Sequence, residues 1–118
     1  MRIEKQVLSE SKSLDLSIPP DGFDHDFLSA TTKICNEMEQ LEEAYVLLKN
    51  NANQENIFFA FLFDPRYELD SDGLISILLT KILELFTDEV SIDVICLNGK
   101  KNLIENLKSI TPPFYRAD

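Results

Sequence analysis

The 118-residue chain has three glycines, two cysteines, one histidine and no tryptophan, and each shortage closes off a class of protein. With glycine only at Gly22, Gly73 and Gly99, no glycine-rich loop can be built to cradle a phosphate. Cys35 and Cys96 lie in apolar segments outside any CxxC context. They read as reduced, buried thiols rather than a disulfide framework. His25, flanked by Asp24 and Asp26, suggests a metal site or a carboxylate-supported base. Helical neighbours point in different directions, however, and no second histidine or suitable cysteine completes a zinc set, so His25 reads as an exposed first-turn residue. Burial in a hydrophobic strand would blunt Cys96 as a nucleophile. The Asp64, Asp70 and Asp72 run has Arg66 and Tyr67 where calcium ligands belong, and no glutamate closes it. No serine–histidine–acid constellation is present. The expectation is a non-enzyme with no cofactor and no metal.

Positive charge is also scarce. Eleven basic residues face 21 acidic ones, a net charge of −10. Such a chain is repelled by phosphate backbones and by anionic membrane surfaces, and is attracted to a basic protein. The same charge also serves solubility alone. No stretch approaches the roughly 20 apolar residues of a membrane span, and the start lacks the apolar run of a secretory signal. A cytoplasmic protein is expected.

What the chain does have is enough apolar residue, 44% of the total, for one domain over residues 1–118. Lys5–Glu10 reads weakly as a strand. Pro19-Pro20 breaks the chain, and Asp21 or Asp24 caps a helix to about Gln40, with Phe27, Ile34 and Met38 on one stripe beside Ala30. Ala44–Leu48 and Ile57–Phe63 read as strands of an antiparallel hairpin around the polar tract Asn50–Gln54. Asp70 or Ser71 caps a second helix to about Phe86. Its stripe is Leu74, Leu78, Ile82 and Leu85, widened by Ile75, Leu79, Leu83 and Phe86. Val90–Leu97 alternates as a strand, with Val90, Ile92, Val94 and Cys96 on one face. Asn98-Gly99 turns into a short helix over about Lys101–Ser109, and an extended tail follows.

The order β-α-β-β-α-β-α predicts an α+β fold: a four-stranded, mainly antiparallel sheet with two main helices on one face, in a ferredoxin-like arrangement if the βαβ is split. The Ile57–Phe63 strand is apolar on both sides. The second sheet face therefore needs cover, from the third helix and tail or from a partner chain, and the state is monomer or homodimer.

The charge is uneven. Asp21–Glu43 holds seven carboxylates against Lys33 alone, −6 of the total, whereas the last 29 residues come out at +1. Acids near helix N-termini offset the macrodipole. Glu37, Glu39, Glu42 and Glu43 instead gather near a predicted helix C-terminus, where that explanation fails. With Asp26 they mark a candidate docking surface for a basic partner.

Three segments resemble the C-terminal domain of the SseB (enhanced serine sensitivity) family. Glu43-Ala44-Tyr45-Val46-Leu47 is similar to its "AYL"-type strand, Ile57–Asp64 to the following strand ending in aspartate, and Pro113-Phe114-Tyr115-Arg116 to its closing "PFY-basic" signature. The resemblance spans roughly Lys5–Arg116. It implies a compact α+β domain with no established catalytic set, in a family that usually places another domain ahead of this one. It also implies association with a sulfurtransferase. Phe114 and Tyr115 are candidate recognition residues, or else anchor the tail on the core.

The expected function is a non-catalytic acidic protein-binding module, most concretely an immunity-type inhibitor of a basic toxin. The alternatives are an accessory domain contacting a metabolic enzyme such as a sulfurtransferase, or a small-ligand-binding domain.

Overall fold

The computed structural model describes residues 2–5, 15–51, 54–88 and 90–117. Its strands are β1 (Arg2–Lys5), β2 (Leu16–Ser17), β3 (Leu41–Asn51), β4 (Gln54–Phe63), β5 (Ser91–Cys96) and β6 (Tyr115–Arg116). The helices are α1 (His25–Asn36), α2 (Ser71–Leu83), preceded by a 3₁₀ segment over Pro65–Asp70, and α3 (Lys101–Ile110). Of the expected Lys5–Glu10 strand, Lys5 ends β1 and residues 6–10 lie outside the described residues.

The strands lie in the order β1-β5-β4-β3-β2, with β6 also paired to β3. β3 is antiparallel to β4, β2 and β6, whereas β5 runs parallel to both β4 and β1. The fold is thus α+β with a mixed, mostly antiparallel sheet. The βαβ unit β4-α2-β5 joins adjacent strands and is not split, so the strand order departs from a ferredoxin-like one. β3 occupies one edge of β4 over its whole length, and β5, instead of β1, takes the other.

α1 starts where Asp24 places its carboxylate against the Phe27 N–H, 3.1 Å away. It stops four residues earlier than its periodicity predicts. Turns closed by Met38 N–H to Cys35 O and by Leu41 N–H to Met38 O lead straight into β3. The fully buried positions of α1 are Thr31 and Cys35, with Phe27 and Ile34 partly covered. Thr31 is tolerated there because its hydroxyl donates to Phe27 O and Leu28 O within its own helix.

α2 buries Ile75, Leu78, Leu79 and Ile82, while Leu85, expected on its stripe, falls beyond the helix and is exposed.

Two cores result. α1 and α2 cover one face over Ala44, Val46, Phe59, Phe61, Phe63, Ile92 and Val94. Phe27 links sheet to helix, its ring 6.3 Å from Phe59 and 5.6 Å from Phe86. α3 covers the other face, where Leu103 and Leu107 pack on Tyr45, Leu47, Phe58, Ala60, Ile95 and Leu97. The uninterrupted apolar run of β4 is thereby accounted for, since a strand with helices on both sides carries no polar face. The second face is covered by α3, while the tail packs on the α1/α2 side through Phe114, whose ring meets Phe59 edge-on at 6.3 Å.

Asn98 closes β5 onto β4. Its Oδ1 accepts from Phe63 N–H at 2.9 Å and its Nδ2 donates to Phe63 O at 2.8 Å, extending the strand ladder with a side chain. Gly99 then takes φ +79°, a left-handed value that suits glycine, and releases the chain into α3.

Candidate functional site: an acidic cleft at the start of β3

Four elements meet where β3 begins: the α1–β3 turn, the end of β4, the 3₁₀ segment and β6. Asp64 N–H donates to Gln40 O at 2.9 Å, which ties the exit of β4 to the entry of β3. Here the β3–β4 register slips, Leu41 facing Phe63 while Glu43 faces Leu62, so Glu42 is the extra residue of a bulge. In a regular strand, successive side chains project to opposite faces. The bulge interrupts that alternation, and both Glu42 and Glu43 line one cleft of about 480 Å³ with Glu39, Leu41, Asp64, Arg66, Arg116 and Ala117.

The carboxylates divide into paired and unpaired. Arg66 grips Asp64, with Nη2 2.8 Å from Oδ2 and Nε 3.2 Å from Oδ1. These side-chain bonds, joined by the Arg66 backbone N–H, hold the Asp64 carboxyl below the usual range, and the same contact pushes the guanidinium up. Glu43 accepts from the Tyr45 hydroxyl at 2.8 Å and has Arg116 Nε at 3.3 Å and Lys108 Nζ at 3.9 Å. Burial first, and then the bond to Glu43, drive the Tyr45 phenol well above its ordinary value and keep it a donor. Glu43 is therefore a structural hub that joins β3, α3 and β6. Glu39 and Glu42 enter no ion pair within 4 Å among the described residues.

Of the residues singled out in the sequence, Glu39, Glu42 and Glu43 come together. Glu37 is the C-cap residue of α1 and exposed, and Asp26 is exposed in the first turn; neither lines the cleft. The four glutamates are thus not a helix-terminal group: one caps the helix, one sits in a turn and two lie on a strand. Phe114 is half-buried against Phe59, and Tyr115 is buried opposite Ala44. The tail anchors on the core, and its arginine, not its aromatics, reaches the cleft. In the sequence Asp64 and Arg66 figure in the rejected calcium loop and Arg116 in the closing signature, none of them as a docking residue. Asp64-Pro65 was legible as a strand end, but nothing local connects it to residue 116.

His25 and Asp26 are exposed beside Asp24, whose carboxylate serves as the cap. Burial pushes the Cys35 thiol up to about 12, so it is inert at neutral pH. No group of three or more metal-binding side chains gathers among the described residues. No described helix is long and apolar enough to cross a membrane.

A mixed sheet between two helices and one helix, with a polar surface cleft at a strand bulge, defines an α+β domain whose most distinctive feature is charge. The chain belongs to the SseB protein C-terminal domain family, which it matches over residues 8–116. No curated protein matches it. The three segments that carried the resemblance are neighbours in space. They form the first half of β3, the bulk of β4, and β6, whose Tyr115 and Arg116 pair with Ala44 and Glu43.

Proposed function

We propose that the chain is a non-catalytic protein-binding module that receives a basic segment of another protein at the cleft of Glu39 and Glu42. The observation that carries this reading is the division of charge there. Glu43 and Asp64 are ion-paired within the chain, while Glu39 and Glu42 line the same cleft of about 480 Å³ and enter no ion pair among the described residues. A lysine or arginine side chain from a partner pairs with these two carboxylates, in a cleft where four acids outnumber Arg66 and Arg116, and the net −10 steers it in. Capping a basic toxin, as an immunity-type inhibitor does, is the most concrete form of this role. Docking on a metabolic enzyme such as a sulfurtransferase uses the same surface chemistry.

The test is capture of partners on wild-type protein and on the Glu39→Gln/Glu42→Gln double variant, at about 50 and about 500 mM salt. A basic protein retained at low salt by the wild type, and reduced at least about tenfold by the substitutions or by salt, is the expected outcome. Capture indifferent to both, or selective retention of a small metabolite in place of a protein, overturns the reading.

A further inference from the structure

We propose that the sheet contains an internal hydration site: an ordered water held by Asp93 and Asn56 beside the buried Lys49. The three residues lie on β5, β4 and β3 and, by strand alternation, share the face that carries Ile95, Phe58 and Leu47. Lys49, Asn56 and Asp93 are only 7%, 3% and 1% exposed. Lys49 Nζ lies 3.0 Å from Asp93 Oδ2, and Asn56 Nδ2 reaches the same oxygen at 3.5 Å. Both contacts converge on one carboxylate oxygen. Asp93 Oδ1 and Asn56 Oδ1 are buried and accept no hydrogen bond from the described residues.

Orphaned buried acceptors are rare in folded proteins, and an ordered water or ion is their common explanation. Charge chooses between those two. The Lys49 ammonium already neutralises the carboxylate, and a second cation would sit against it. The occupant is therefore neutral, supplies hydrogens to acceptors, and is small enough for a site whose walls are nine-tenths buried. Water meets all three conditions, with one hydrogen for each oxygen. Such a molecule makes the polar cluster compatible with an otherwise apolar sheet, and it is unrelated to the acidic cleft.

A crystal structure of the whole chain, at a resolution that shows ordered solvent, tests this. A peak about 2.7–3.2 Å from both Asp93 Oδ1 and Asn56 Oδ1 is expected, and it disappears in Asn56→Leu. In solution, the wild-type Asn56 side-chain amide should show a magnetisation-transfer contact to a long-lived water. Protein donors on both oxygens, a dry site, or a peak at the roughly 2.4 Å contacts typical of a bound cation overturns the proposal.

Discussion

At the residue scale, a few side chains do what backbone cannot. Asn98 is the clearest case, because beyond the Leu97 N–H to Phe61 O bond the ladder to β4 is continued by a side-chain amide. Asn98→Ala leaves the Phe63 N–H and C=O without those partners in a part-buried setting. A loss of about 1–3 kcal/mol in unfolding free energy is expected, read by denaturant titration, with the slope unchanged. Asn98→Asp should recover only the bond from the Phe63 N–H, since a carboxylate cannot donate to Phe63 O. Glu43 is the other such residue. Its three partners come from β3, β6 and α3, so a glutamate that looked like a docking group in sequence is committed to holding the tail and the third helix.

At the element scale, the Lys49–Asp93 pair joins β3 to β5 across β4. Breaking such a pair strands a buried charge, whereas replacing both members with apolar groups removes the desolvation cost on both sides. Lys49→Met alone and Asp93→Leu alone should each destabilise by about 3–5 kcal/mol. The double variant should lie much closer to wild type, and a double-mutant cycle in thermal or chemical denaturation measures the difference. Additive losses would mean that the two residues act independently. Most elements were legible locally. The alternation Ile92, Val94, Cys96 on β5 and the double-sided run of β4 follow from apolar spacing alone, as does the antiparallel hairpin. The helix ends were less legible. α1 stops at Asn36 because the chain must enter β3 at Leu41, a tertiary demand that outweighs the helical periodicity through Met38.

For the whole molecule, the net charge of −10 is a self-repulsion that folding concentrates. Raising salt from about 10 to about 300 mM screens it, and the melting temperature should rise; a Glu39→Gln/Glu42→Gln variant should gain less from the same salt. A melting temperature that falls over this range would show that attractive ion pairs outweigh the repulsion.

The α+β class, the hairpin, the apolar faces and the excess of acid could all be read from the residues in order, because each depends on residue type and short-range spacing. The sequence also carried the family, through three separated motifs. Folding in three dimensions was needed to show that β5 lies parallel beside β4, that α3 rather than the tail covers the second face, and that the motifs at residues 43–47 and 113–116 are hydrogen-bonded neighbours. It alone separated the ion-paired Glu43 from Glu39 and Glu42, which line the same cleft without an ion pair among the described residues. The reason is physical: strand pairing and ion pairing join residues far apart in the chain, here Glu43 with Arg116 and Lys49 with Asp93, and no local pattern records which partner will arrive.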